Sequence, residues 1–118
     1  MAEIPAPCAY AAWRLGIETN VGVDNRFWVA VQAAAESGNL GQLQTARVRG
    51  AAGEWGQAVT DYLASDPAQW TTFDLRVMAQ AMRLAGWRGE VGTLVLAALK
   101  GGRVPPTLRN EAAKLIAP

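Results

Sequence analysis

Residues 70–106 constrain the fold of this 118-residue chain more than any other stretch, because they predict two helices that each end at glycine. The first helix is predicted to begin at Thr71 or Thr72, because a threonine hydroxyl suits an N-cap and Asp74 suits the positive helix end. Gly86 is predicted to end this helix, since glycine adopts the left-handed C-cap conformation at little cost.

A second helix is predicted to start at Glu90, four residues after Gly86. Its apolar stripe consists of Val91, Leu94, Val95, Ala98 and Leu99. Gly101-Gly102 is predicted to stop the helix, and Pro105-Pro106 prevents its continuation. Because the link between the two helices is short, they are predicted to form an antiparallel hairpin.

The first helix of this hairpin is apolar on two sides. One side carries Phe73, Val77 and Leu84, and the other carries Leu75, Met78, Met82 and Ala85. Arg76, Gln80 and Arg83 recur at helical spacing and form a narrow polar stripe. A helix with so much apolar surface is expected to lie between neighbouring helices.

The remaining sequence also shows helical periodicity and no alternating strand pattern. Helices are predicted over residues 7–15 closed by Gly16, 25–37 closed by Gly38, 40–52 with Asn39 and Gln42 as a capping pair, 54–65 with the stripe Trp55, Ala58, Val59, Tyr62 and Leu63, and from about Thr107. The predicted fold is therefore all-α, with about seven helices in one domain spanning residues 1–118.

The turns also repeat along the chain. Ala52-Gly53 lies 33 residues before Ala85-Gly86, so the same type of turn recurs. Gly38 lies only 15 residues before Gly53, which is about one helix, so Gly38 marks the other type of turn, the one between successive hairpins or within them. Alternating first and second helices would give three hairpins and a C-terminal half-repeat, each hairpin burying one face on the next.

The central hairpin resembles one pentatricopeptide repeat. The match runs from Phe73 through Ala85-Gly86 at the inter-helix turn, Gly102 after the second helix and Pro105, and the next unit would restart at about Leu108. The resemblance implies a short right-handed α-solenoid of antiparallel helix hairpins. A tetratricopeptide-like hairpin is the alternative, because short helical repeats share these features.

Pentatricopeptide proteins commonly bind single-stranded RNA in organelles, so the resemblance also implies a chloroplast or mitochondrial location. The two base-reading positions of the family fall on Val77 and approximately Thr107. Val77 cannot hydrogen-bond a base edge, and the neighbouring Ala81 and Leu84 are apolar as well. This apolar character favours a protein-binding module over an RNA-reading one.

The composition argues against catalysis and against a metal site. The chain has no histidine, which removes Ser-His-Asp and Cys-His catalysis and the commonest metal ligand. Its single cysteine, Cys8, excludes an internal disulfide and is expected to be buried or partly buried. Asp61 and Asp66 are close in sequence, but they need not converge at a helix end. We therefore expect no enzyme activity, cofactor or metal.

Charge and hydropathy narrow the choice of partners. A net charge of +1 argues against purely electrostatic binding of nucleic acid, and no apolar run approaches the length of a membrane span. The start of the chain lacks the basic region and long apolar core of a signal peptide. Charged residues make up only 18% of the chain, which favours burial against a partner, with a compact monomer as the alternative.

The sequence therefore predicts a protein-binding or scaffold module, a small subunit of a larger assembly. An RNA-binding repeat protein and a self-associating helical protein are the alternatives. Exposed tryptophans at helix boundaries and arginines near turns suit partner contact. The candidate partner-binding residues are Trp70, Arg76, Gln80, Arg83, Trp87, Arg88 and Arg103.

Overall fold

The part of the chain that the computed structural model describes, residues 4–19 and 21–117, contains helices and no strand. The α-helices are α1 (Ala6–Glu18), α2 (Asn25–Glu36), α3 (Gln42–Ala51), α4 (Trp55–Ala64), α5 (Thr72–Ala85), α6 (Arg88–Lys100) and α7 (Arg109–Ile116). Short 3₁₀ helices, Pro67–Gln69 and Pro106–Leu108, precede α5 and α7. The predicted all-α class is confirmed.

Local chemistry explains where most helices end. Gly86 caps α5 with φ of 75°, and glycines with positive φ also follow α2, α3 and α6 at Gly38, Gly53 and Gly102. At the start of α5, the Asp74 carboxylate accepts a hydrogen bond from the Thr71 backbone N–H at 2.7 Å. The sequence analysis predicted these ends correctly because they depend on neighbouring residues alone.

Other predicted boundaries were wrong. Gly16 does not end α1, which continues to Glu18; a Cβ at Gly16 would lie 2.6 Å from Val23 Cγ2, so glycine lets the following loop pack on the helix. The cap of α3 is Gly41, whose N–H donates to the Gln44 side chain at 3.1 Å, and not the Asn39–Gln42 pair.

The two C-terminal helices also begin elsewhere than predicted. Helix α6 starts at Arg88, two residues before the predicted Glu90. The residues after Pro105 first form a 3₁₀ helix, so α7 starts at Arg109 and not at Thr107. Proline fixes φ and lacks an N–H, which suits a 3₁₀ turn before the α-helix.

The helices are arranged along an elongated molecule with extents of 50 × 26 × 23 Å. The main contacts join helices that are one or two places apart in the chain, such as α3 with α4 and α3 with α5. A small apolar core lies between α1, α2 and α3, and a larger one extends from α3 to α7. Phe73 packs against both cores, so α5 links them.

Some apolar residues that were predicted to be buried are on the surface. Leu63 and Leu84 are 58% and 65% exposed, because each lies beside, and not within, the buried stripe of its helix. Ala85 is exposed at the end of α5. Cys8 is exposed as well, which corrects the expectation that it is buried or partly buried.

Candidate docking surfaces

A buried polar cluster joins α1, α3, α4 and α5. The Arg47 guanidinium donates to both carboxylate oxygens of Asp74, from Nε to Oδ1 and from Nη2 to Oδ2, each at 2.8 Å. Arg47 Nη1 donates to the Tyr10 hydroxyl at 2.9 Å, and the Tyr62 hydroxyl donates to Asp74 Oδ1 at 2.7 Å. Only 4% of Arg47 and none of Asp74 is exposed, so the pair lies inside the fold.

The pKa shifts of Arg47 and Tyr62 suit the hydrogen bonds that these two residues donate. Burial lowers the pKa of Arg47, but the hydrogen bonds from Arg47 to Asp74 and Tyr10 outweigh it, so the net shift is upward. Burial and the negative charge of Asp74 both raise the pKa of Tyr62. Both shifts favour the charged arginine and the neutral tyrosine, which are the donors that the carboxylate needs.

This cluster was not predicted from the sequence. Asp74 was assigned only to the helix cap, and Arg47 was not singled out. The available signal was an arginine between Ala46 and Val48, on the side of α3 that packs against the core. A charged residue in such a position is buried only when it is paired. Its position therefore predicts an oppositely charged residue nearby in the fold, but it does not identify that residue.

Asp61 and Asp66 do not form an acidic pair. Asp61 Oδ2 lies 3.4 Å from Arg49 Nε, whereas Asp66 lies 3.4 Å from Arg103. Among the described residues, Asp61 Oδ2 is buried without a hydrogen bond, and burial raises the pKa of this carboxyl while Arg49 partly offsets the rise. The two carboxylates serve separate ion pairs.

An apolar cleft of about 800 Å³ separates the start of α1 from the outer face of α2, and we call it the N-terminal cleft. It is lined by Ile4, Pro5, Ala6, Asn25, Arg26, Val29, Ala30, Ala33, Ala34, Ser37 and Asn39. Val29 is 56% exposed and Ala33 is exposed as well. Its described lining has no carboxylate or cysteine, and it combines a largely apolar surface with the polar residues Asn25, Arg26, Ser37 and Asn39.

A second surface lies at the far end of the molecule, where α5, α6 and α7 meet. Two adjoining grooves of about 500 and 380 Å³ share Met82 and Arg88, and we call them together the basic groove. It is lined by Ala79, Met82, Arg83, Arg88, Gly89, Gly92, Thr93, Leu96, Lys114, Leu115, Ile116 and Ala117. The described lining contains three cations and no carboxylate.

The structure separates the seven candidate partner-binding residues. Arg76, Gln80 and Arg83 are exposed along α5, and Arg83 and Arg88 line the basic groove. Arg103 is exposed but lies at the opposite end of α5 and α6, beside Asp66.

The two tryptophans in that set are less available than expected. Trp70 is only 2% exposed, and its indole N–H donates to the Ser65 hydroxyl at 3.2 Å, so its side chain is not on the surface where a partner could contact it. Trp87 is half-buried over Gly56, where an added Cβ would lie 2.9 Å from the indole Cζ2. Both tryptophans contribute to the packing of neighbouring helices.

Two further properties bear on the choice of partner. Within residues 4–19 and 21–117, no three His, Cys, Asp or Glu side chains lie close enough together to hold a metal ion. None of the helices that the structure describes is long and apolar enough to cross a membrane.

Comparison with known proteins finds no protein-family model, no curated protein sequence and no solved structure that matches this chain at a significant level.

Proposed function

We propose that this chain is a non-catalytic helical-repeat module that binds protein partners, as a small subunit of a larger assembly. Its architecture would be a short right-handed α-solenoid of antiparallel helix hairpins. Two observations support this architecture: the molecule is elongated, and the main helix contacts join near neighbours in the chain. Such solenoids present extended surfaces to partners.

The outer face of α2 carries the proposal. Between Phe27 and Ala35 this helix has one polar residue, Gln32, so apolar side chains surround it. One side packs into the core through Val31 and Ala35, and the opposite side opens into the N-terminal cleft. An apolar segment on two opposite sides of a helix is typical of a helix that is covered on both, and we infer that a partner covers the open side.

RNA binding is the second candidate, and the exposed arginines Arg76, Arg83 and Arg88 favour it. The base-reading position of the pentatricopeptide resemblance argues against it. Val77 is buried, and a Cβ on Gly50 would lie 2.4 Å from Val77 Cγ1, so this side chain faces α3. Binding of a protein needs no base-reading side chain, so it is compatible with the burial of Val77.

The test is an acidic substitution within the N-terminal cleft. Ala33→Glu places a charge on the open face of α2, and Ala11→Glu places the same charge on an exposed position of α1 outside the cleft. We expect cross-linking and mass spectrometry of the native complex to show one stoichiometric protein partner that Ala33→Glu removes and Ala11→Glu retains.

Two outcomes would count against the proposal. Equal retention of the partner in both variants would show that the cleft is not the contact. Tight, salt-sensitive binding of single-stranded RNA that is lost in Arg76→Gln/Arg83→Gln would favour the RNA alternative. Self-association would appear instead as a cross-linked dimer of this chain that Ala33→Glu dissociates.

A further inference from the structure

The basic groove has a chemistry of its own. Its described lining combines an apolar floor of Met82, Leu96, Leu115 and Ile116 with the cations Arg83, Arg88 and Lys114. Among the ion pairs of the described residues, none includes these three cations. Arg88 donates from Nη2 to the Ala117 carbonyl at 2.9 Å, which anchors it beside the groove. The surface is therefore apolar in the middle and positive at the edge.

Two helical glycines form part of the floor. Gly89 and Gly92 are both within α6, where glycine makes helix formation about fivefold less favourable than alanine does. No residue that the structure describes requires them, because a Cβ at Gly89 would meet no atom of the described residues within 4 Å and one at Gly92 would meet Ile116 at an ordinary 3.8 Å. Because these two residues have no side chain, another backbone can approach α6 closely at this point of the groove.

The glycines Gly50 and Gly56 show the contrast. A Cβ at Gly50 would lie 2.4 Å from Val77, and one at Gly56 would lie 2.9 Å from Trp87. Those two positions need glycine for contacts within the chain. Gly89 and Gly92 have no contact this close with a described residue, so both positions have room for a side chain.

We propose that the basic groove binds an amphipathic α-helix of a partner protein, with an apolar stripe against α6 and acidic side chains toward the cations. This inference rests on the proposed protein-binding function and specifies its partner at this surface. Charge complementarity selects an acidic occupant. The apolar floor, without an aromatic residue among its described members on which a base would stack, favours a helix over nucleic acid.

The stripe of cations extends beyond the groove itself. Arg76 is seven residues before Arg83 on α5, so both lie on one side of that helix, and both are exposed. An acidic helix of about four turns would reach from Arg88 toward Arg76, since α-helices rise about 1.5 Å per residue. This orientation places the acidic flank of the partner along α5 and its apolar stripe over Gly89 and Gly92.

The test uses a fluorescent peptide of about 16 residues with leucines at i, i+3, i+4 and i+7 and glutamates on both flanks. A second peptide replaces the glutamates with lysines, and a third keeps the composition but scrambles the leucines. We expect saturable binding of the first peptide to the full chain by fluorescence anisotropy, and binding at least about tenfold weaker for the other two. Comparable affinity of all three peptides, or no binding of the first, would overturn the inference.

Matched variants locate the binding site. Arg83→Gln/Lys114→Gln removes one arginine and one lysine from the groove, and Lys100→Gln/Arg109→Gln removes the same charges from exposed positions outside it. We expect about tenfold weaker peptide binding from the first pair and less than about twofold from the second. Equal effects of the two pairs would refute the assignment to this groove.

A third comparison tests the glycine floor. Gly92→Leu fills the groove, whereas Ala97→Leu adds an apolar side chain at an exposed position of α6 outside it. With both variants shown to be folded by circular dichroism, Gly92→Leu is expected to weaken the peptide by at least about tenfold and Ala97→Leu to leave it unchanged. Unaltered binding by folded Gly92→Leu would contradict the close approach to α6.

The alternative occupants give different results. An oligouridine of about 12 nucleotides that binds the groove while the acidic peptide does not would overturn the inference in favour of nucleic acid. If the peptide fails but Ala33→Glu still removes a stoichiometric protein partner, the basic-groove inference is wrong and the proposed protein-binding function stands. If the peptide binds but no native protein partner is found, the proposed function is contradicted and the binding property of the groove stands.

Discussion

At the scale of single residues, the interior depends on a pair of opposite charges. Transfer of Arg47 and Asp74 out of water is costly, and their mutual hydrogen bonds offset that cost only while both partners are present. Tyr10 and Tyr62 bond to the same pair from α1 and α4, so the cluster fixes how four helices meet. Removal of one charge is therefore expected to cost more than removal of a surface charge.

The first prediction concerns that carboxylate. Asp74→Asn keeps the shape of the side chain but leaves the Arg47 charge buried and unpaired, and we expect a loss of about 3–5 kcal/mol in the free energy of unfolding. Asp66→Asn alters an exposed aspartate that pairs with Arg103 and is expected to cost less than about 1 kcal/mol. Urea unfolding of both variants measures the difference. Similar losses in the two would show that the buried pair has no special weight.

The second prediction concerns pH. Because burial raises the pKa of Asp61 in the folded state above its ordinary value of 3.8, the folded state binds more protons than the unfolded state in the window just above that value. Stability is expected to fall as pH rises through this window, and Asp61→Asn, which does not titrate, is expected to lose this component of the decline. The change should be less than about 1 kcal/mol, since Arg49 lies beside the carboxylate.

Urea unfolding at several pH values from about 3 to 7 measures this effect. Glu54→Gln is the control, because it alters another carboxylate that lies near Arg49 but is exposed. Parallel stability curves for the wild type and Asp61→Asn would contradict the role given to Asp61.

At the scale of helices, glycines have opposite roles within the same kind of element. Gly50 in α3 allows close contact with α5, whereas Gly92 in α6 has room for a side chain. The third prediction is that alanine at these positions changes stability in opposite directions. Gly92→Ala is expected to stabilise by up to about 1 kcal/mol through helix propensity. Gly50→Ala is expected to destabilise by about 1–3 kcal/mol, because its Cβ overlaps Val77.

The two unfolding midpoints in urea decide this prediction, and Gly86→Ala supplies a reference for strain. Gly86 has φ of 75° with no atom near its absent Cβ, so alanine there tests backbone strain without a clash. A stabilising Gly50→Ala would show that α3 and α5 can separate without cost.

Element ends were predicted well where neighbouring residues determine them. Gly86 and the Asp74 cap of α5 follow from local chemistry, and the structure confirms both. Gly16 was misread as a helix end because its reason is a contact with Val23, seven residues away along a loop. The Arg47–Asp74 pair was missed for the same cause at longer range, since 27 residues separate its members.

The candidate site was predicted only in part. The exposed stripe of Arg76 and Arg83 follows from helical spacing on α5, and the structure places Arg83 beside Arg88. The contribution of α7 through Lys114 depends on tertiary packing, which periodicity does not specify. The burial of Trp70 likewise depends on the 3₁₀ helix before α5 and on a hydrogen bond to Ser65.

At the scale of the whole molecule, the two candidate surfaces lie on different helices of an elongated chain. The N-terminal cleft is formed by α1 and α2, and the basic groove by α5, α6 and α7. The two surfaces differ in chemistry, since the first is largely apolar and the second is apolar with a positive edge. A small subunit with two such surfaces can contact different parts of an assembly at once, which is our proposal for this chain.

The fourth prediction concerns salt. Docking at the N-terminal cleft depends on apolar burial and is expected to change little between low and moderate salt. Binding of the acidic peptide to the basic groove is expected to weaken by about tenfold over the same change, because its rim contacts are exposed charges. Anisotropy titrations at the two salt concentrations measure the groove, and cross-link yields at α2 measure the cleft. Equal salt sensitivity of the two interactions would contradict the proposed difference between an apolar cleft and a charged groove.

Native mass spectrometry of the complex isolated in a gentle extract, before and after ribonuclease treatment, tests the account most directly. We predict one protein partner in a fixed ratio to this chain and the same mass after ribonuclease. Loss of mass on ribonuclease treatment, with release of the chain as a free protein, would contradict a protein-binding role and support the RNA alternative.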